Sequence, residues 1–198
     1  MRIKDLAAMA GNCRDMRLIN TRGLNGNIVR QHLDLSGKAI YPLDGMQAIT
    51  PETLLTIADV EEEIREKYTV NQTDMNEFMA IYTDDQRDGD VLLKEGKLRI
   101  KSRYFELMSL TPDGGGETVF LPVALVKPIK NEDITWVKRK VNEENSIIVA
   151  LEGFVNIGAF APAEMWADLD FAGEMHSMWL SANRLAQKNE LRKLEDGR

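Results

Sequence analysis

The side chains able to bind a metal or act as a nucleophile are few and widely spaced. Cys13, His32 and His176 are the only cysteine and histidines of the chain. Zinc needs three or four converging N or S ligands, so this spacing offers no zinc motif. A serine or cysteine nucleophile needs a base and a group that orients the base. His32 falls in the middle of a strand-like run and His176 in a C-terminal helical pattern beside Met175, neither in a recognisable motif. Glu164 and Asp168 stand one helical turn apart, a spacing at which two carboxylates can share a proton or a cation. Acids at that place are also expected on other grounds, because they oppose the positive end of a helix. With Asp84 as position 1, residues 84–95 place Asp88, Gly89, Val91 and Glu95 where a calcium-binding helix–loop–helix needs them. Gln86 occupies a ligand position, however, and the alternation after Gly96 reads as a strand instead of an exit helix, so 84–95 is read as a polar connector. Gly114-Gly115-Gly116 lies between two strand-like runs without the Lys-Ser/Thr of a phosphate loop, and reads as a hairpin turn. The chain thus reads as a non-enzymatic protein with no cofactor, no metal site and no catalytic residue assigned.

Charge is the stronger signal. Residues 52–90 hold twelve acids against three bases, a balance of −9, with Glu61, Glu62, Glu63 and Glu66 the densest part. Residues 94–140 reverse this, with ten bases against six acids. Because successive side chains of a strand point to opposite faces, Lys97, Arg99, Lys101 and Arg103 fall on one face of a strand and Leu98, Ile100 and Tyr104 on the other. At about 3.4 Å per residue the four cations span roughly 20 Å. Such a row either guards a strand against aggregation or meets a phosphate or an acidic protein surface. The acidic stretch is the second candidate contact surface. Duplex nucleic acid is a poor fit to a chain of net charge −7.

Elements to carry these residues can be read from periodicity. Ile3, Leu6, Ala7 and Ala10 share a helical face ended by Gly11-Asn12. Runs at 14–20, 27–35 and 39–41, separated by Gly- and Asn-bearing turns, predict a three-stranded meander. Thr50-Pro51-Glu52 supplies a hydroxyl cap, a proline at the first helical position and an acid in the first turn, predicting a helix to about residue 68. A further helix from Thr73-Asp74 places Met75, Phe78, Met79 and Tyr82 on one face. Three more strands follow at 91–93 and 97–110, and 118–129. Next come a helix from Asn131 carrying Ile134, Val137 and Val141, a strand at 146–151, and a long helix from Pro162 striped by Met165, Leu169, Ala172, Trp179, Ala182 and Ala186. The expected fold is α+β: two small antiparallel meanders, each packed with helices, and a long C-terminal helix that could mediate homo-oligomerisation. The connector after Thr83 divides the chain into an N-terminal subdomain, 1–85, and a β-meander with helices, 86–198.

The 198 residues, 43% hydrophobic and 29% charged, are ordinary globular usage. No uninterrupted apolar run reaches the roughly 18 residues of a membrane span, and the charged opening has no signal-peptide core, so the chain reads as soluble, cytoplasmic and free of membrane contact. A single cysteine leaves no internal disulfide, in keeping with a reducing compartment.

Residues 37–46, Gly-Lys-Ala-Ile-Tyr-Pro-Leu-Asp-Gly-Met, followed by Thr50-Pro51-Glu52-Thr53-Leu54-Leu55 and Asp59-Val60, resemble small accessory proteins of prophages in gut Firmicutes over about residues 1–68. The resemblance carries no catalytic position with it. It implies a small accessory protein that binds a host factor, and the reading that follows is a stoichiometric inhibitor directed at a host antiviral nuclease, of the anti-CRISPR kind. Its contact would be the basic row or the acidic stretch, with Trp136, Trp166 or Trp179 as anchors. The alternative is a protein that sequesters a small nucleotide signal on the cationic face.

Overall fold

The computed structural model describes residues 1–101, 105–129 and 133–163, together with Arg184 and Lys188. In chain order the elements are α1 (Ile3–Gly11), β1 (Asp15–Arg22), β2 (Ile28–Leu35), β3 (Ala39–Pro42), α2 (Pro51–Ile57), a 3-10 turn (Glu62–Lys67), β4 (Thr69–Asp74), α3 (Glu77–Thr83), β5 (Val91–Lys101), β6 (Glu106–Pro112), β7 (Val119–Pro122), α4 (Val123–Val126), a 3-10 turn (Lys127–Ile129), β8 (Ile134–Lys140), β9 (Ser146–Glu152) and β10 (Val155–Phe160).

The two expected sheets are one. All ten strands join in the order β4-β1-β2-β3-β10-β9-β8-β5-β6-β7. Every pairing is antiparallel except that of β4 with β1. The first meander forms as β1-β2-β3. The second, β5-β6-β7, is corrected: β5 runs on through Lys94-Glu95-Gly96 where a turn was expected, β6 starts only at Glu106, and β7 ends at Pro122 with 123–129 helical. Each meander alone would leave an open edge at β3 or β5. The β8-β9-β10 meander fills that gap: Ile40 and Ala39 of β3 pair with Ala159 and Phe160 of β10, and Val91 to Leu93 of β5 pair with Lys138 to Trp136 of β8. The sheet therefore runs on across the connector after Thr83.

Three further expectations are corrected. The segment read as a helix from Asn131 is β8, because it lies inside the sheet with both faces covered: Trp136 is buried on one side and Val137 on the other. Buried strands lose their alternation and imitate helical spacing. The helix from Pro51 stops at Ile57 instead of continuing to residue 68, since Asp59 takes a left-handed conformation (φ 56°) that no helix interior accepts, and Thr69 to Asp74 leave as β4. The next helix begins at Glu77, not at Thr73, with the Asn76 side chain accepting from the Met79 amide at 2.9 Å. The Thr50 cap is as expected, its hydroxyl accepting from the Thr53 amide at 3.2 Å. The residues expected to form a C-terminal helix, Glu164, Trp166, Asp168, His176 and Trp179 among them, lie outside the described residues.

Alternation along the strands divides the core in two. Met16, Leu18, Leu33, Leu35 and Tyr41 face Leu6 and Ala10 of α1, Leu54 and Leu55 of α2, and Leu125 and Val126 of α4. Ile19, Ile40, Val137, Val149, Leu151 and Ala159 face the other way, toward Met75, and toward Met79 and Tyr82 of α3. The α1–α2 approach depends on Gly11, where a Cβ would stand 2.7 Å from the Ala58 carbonyl oxygen.

Candidate functional site

The groups with chemical potential are engaged internally. His32 is buried on β2, and loss of hydration, reinforced by Arg30 and opposed by Asp44, lowers its pKa to about 4. The neutral imidazole leaves Nδ1 without a hydrogen-bond partner. Burial raises the Asp34 carboxyl, although its Oδ1 accepts from the Gly37 amide at 2.8 Å and so secures the β2–β3 turn. The Tyr41 phenol, also raised by burial, donates to the Leu125 carbonyl at 2.5 Å and ties α4 to the sheet. The Cys13 thiol lies 3.1 Å from the Asp15 carbonyl and 3.2 Å from the Ser36 hydroxyl. Among the described residues no three His, Cys, Asp or Glu side chains converge as a metal site.

Residues 84–90 are organised around a cation of the protein's own. Arg139 of β8 and Asp90, with side chains 3% and 2% exposed, form a bidentate pair at 2.9 and 2.7 Å. The remaining guanidinium donors reach the carbonyls of Ile81, Asp84 and Asp85 at 3.0, 2.9 and 2.8 Å. All five N–H groups of the guanidinium are thereby used. Asn156 of β10 adds bonds to the Tyr82 and Asp84 carbonyls, and its amide donates to the Asp85 carboxylate at 3.0 Å. Of the residues that fall at calcium-loop positions, Asp84 pairs with Arg87 at 3.0 Å and Glu95 with Arg99, in keeping with a connector. No signal in the sequence links Asp90 to Arg139, which is 49 positions away.

On β5 the expected alternation holds from Lys97 to Lys101, with Lys97, Arg99 and Lys101 exposed and Leu98 and Ile100 half-buried against Leu107, Phe120 and Ala163. Arg103 lies outside the described residues. The row is partly neutralised, Arg99 by Glu95 and Lys101 by Glu106 at 3.9 Å. Lys97 has no ion pair among the described residues. The strand reaches this register through an irregularity between Glu95 and Arg99, where Gly96 passes so close to Ser109 that a Cβ would overlap its hydroxyl oxygen.

The acidic candidates behave differently. Glu61, Glu62, Glu63 and Glu66 are all exposed, on or just before the 3-10 turn. At three residues per turn, side chains at i and i+3 eclipse, which stacks Glu63 over Glu66. None of the four has an ion pair among the described residues. Of the two cations on the turn, Lys67 is exposed and Arg65 is turned inward, donating to the Val60 carbonyl and the Thr56 hydroxyl at 3.1 Å each. The turn runs directly into β4, which the sequence reading missed because Thr-Val-Asn-Gln-Thr-Asp lacks an apolar alternation. No helix of the described residues is long and apolar enough to cross a membrane. No protein-family model, no curated protein and no solved structure matches this chain.

Proposed function

We propose that the protein acts by stoichiometric binding to a host protein, as an accessory inhibitor of the anti-defence kind whose target is an antiviral nuclease complex. The observation that supports this reading is the set of four exposed carboxylates, Glu61, Glu62, Glu63 and Glu66, held without internal counterions beside a sheet edge. Unpaired surface charge of one sign raises association rates with an oppositely charged partner and selects against like-charged ones. The target face is therefore basic, as the nucleic-acid groove of a nuclease is. The prophage resemblance of residues 1–68 points the same way. The reading in which β5 sequesters a nucleotide has less to draw on, because Arg99 and Lys101 already face Glu95 and Glu106.

The test is a comparison of the protein with its E61K/E62K/E63K/E66K variant. The unaltered protein is expected to capture a stoichiometric partner from a Firmicutes host lysate, to release it as salt rises, and to inhibit that partner's nuclease activity when purified. The variant should lose both capture and inhibition. Capture and inhibition unchanged in the variant would overturn the reading.

A further inference from the structure

The free edge of β4 has features that most sheet edges avoid. An exposed edge usually carries lysine, proline or a bulge, or is short and covered, because its unpaired amides and carbonyls accept any passing strand. The opposite edge, β7, follows that rule: it has four residues, all buried, and ends in Pro122. β4 does not follow it. Its six residues contain no lysine and no proline, its register with β1 is unbroken from Thr69 to Asp74, and Thr69, Asn71, Gln72 and Asp74 are exposed.

The ladder fixes which backbone groups are free. The Thr69 amide donates to the Arg14 carbonyl and the Met75 amide to the Asn20 carbonyl, both at 2.7 Å. Peptide groups alternate in direction along a strand, so Thr69, Asn71, Thr73 and Met75 bond toward β1, while Val70, Gln72 and Asp74 present N–H and C=O outward. These outward groups have no backbone partner among the described residues.

We propose that β4 is a docking strand, to which an extended, lysine- or arginine-bearing segment of a partner protein adds by main-chain hydrogen bonding, its cations meeting Glu61, Glu62, Glu63 and Glu66. Main-chain pairing supplies affinity in such strand addition and side chains supply selectivity. The acids precede β4 by a few residues, so one contiguous peptide can engage both. A second copy of this chain is the wrong occupant. Two β4 strands pairing edge to edge would bring the acids of one copy toward Glu77 of the other, beyond the Arg22-paired Asp74, and like-charge juxtaposition opposes association. This inference rests on the protein-partner reading and names the partner's binding element.

The probe is a fluorescein-labelled peptide of alternating lysine and threonine, followed by anisotropy, with a glutamate–threonine peptide as control. The lysine peptide is expected to bind and the glutamate peptide not to bind. Gln72→Pro removes an outward N–H without removing a bond to β1, and should weaken binding tenfold or more while circular dichroism and the melting temperature stay near those of the unaltered protein. Hydrogen exchange in the unaltered protein serves independently of that variant: the peptide should slow exchange at the Val70, Gln72 and Asp74 amides, leaving Asn71 unchanged. Undiminished binding by Gln72→Pro, unslowed exchange at Gln72, or a homodimer that Gln72→Pro dissociates would each overturn the proposal. If strand docking fails but the four-lysine variant still loses the captured partner, the acidic reading survives alone; if both fail, the acidic reading falls too.

Discussion

Protonation of His32 makes stability depend on pH in a direction and size that can be worked out. In the unfolded chain the imidazole titrates at its ordinary value of 6.5, whereas burial holds it neutral in the folded protein until about pH 4. Between those values the unfolded state binds more protons, so acid pulls the equilibrium toward unfolding. The contribution is complete above pH 6.5 and is lost as pH falls toward 4. From pH 8 to pH 5 the loss is about 2 kcal/mol, with a limiting slope of about 1.4 kcal/mol per pH unit. Arg30 adds to the effect and Asp44 opposes it. Asp34 contributes with the opposite sign, because its raised carboxyl holds a proton more firmly when folded, and that contribution is lost as pH rises through its folded value. The measurement is urea unfolding across pH 5 to 8 for an Asp34→Asn protein and for the same protein with His32→Leu. The first should lose about 2 kcal/mol more than the second over that range. Parallel profiles would refute the assignment of the acid sensitivity to a buried neutral imidazole.

Two other substitutions test how the helices are held. Arg139→Met strands the Asp90 carboxylate in the interior and should cost about 3–5 kcal/mol, with Asp90→Leu in the same chain recovering part of it; hydrogen exchange should show the loss first in residues 84–90, and an unchanged urea midpoint would refute the buried pair. Tyr41→Phe keeps the edge-to-face packing on Phe160, at a centroid distance of 5.7 Å, but leaves the Leu125 carbonyl without its donor. It should cost about 1–3 kcal/mol by urea unfolding, and a neutral result would mean that water or a shift of α4 replaces the bond.

Local chemistry was readable where it acts over a few residues. Thr50-Pro51-Glu52 marks a helix start by capping and by a proline placed where no amide is needed, and the β2–β3 turn at Ser36-Gly37 follows from residues at positive φ. The errors come from elements whose identity is decided by distant partners. Ile134, Val137 and Val141 satisfy helical spacing as well as a strand covered on both faces, and only the pairing of β8 with β9 and β5 resolves the choice. β10 was missed because Asn156 and Gly158 interrupt its pattern. Both have structural reasons: Asn156 bonds to the end of α3 and the connector, and Gly158 lies so near the Phe160 ring that a Cβ would stand 2.8 Å from it.

The acidic stretch shows how composition and placement separate. Its balance of −9 suggests one continuous negative surface, yet four of its members are held by the protein's own groups, and of the exposed rest Glu52, Asp59, Glu77 and Asp88 stand apart from one another in sequence. Asp74 pairs with Arg22, Asp84 with Arg87 and Asp90 with Arg139, and the Asp85 carboxylate accepts from the Asn156 amide. Those carboxylates hold β4 to β1 and the connector to the sheet. Asp90, held by a guanidinium in the interior, has little field left to offer a visitor, and the more exposed Asp74 and Asp84 are partly neutralised by their arginines. The part of the charge that faces water unpaired is concentrated at Glu61, Glu62, Glu63 and Glu66. It stands there because the left-handed turn at Asp59 ends α2 early and the following 3-10 segment turns Arg65 inward. Extending α2 through Asp59 would remove both the acidic turn and the polar edge strand behind it, so the same backbone break creates the two features on which the proposed partner binding rests.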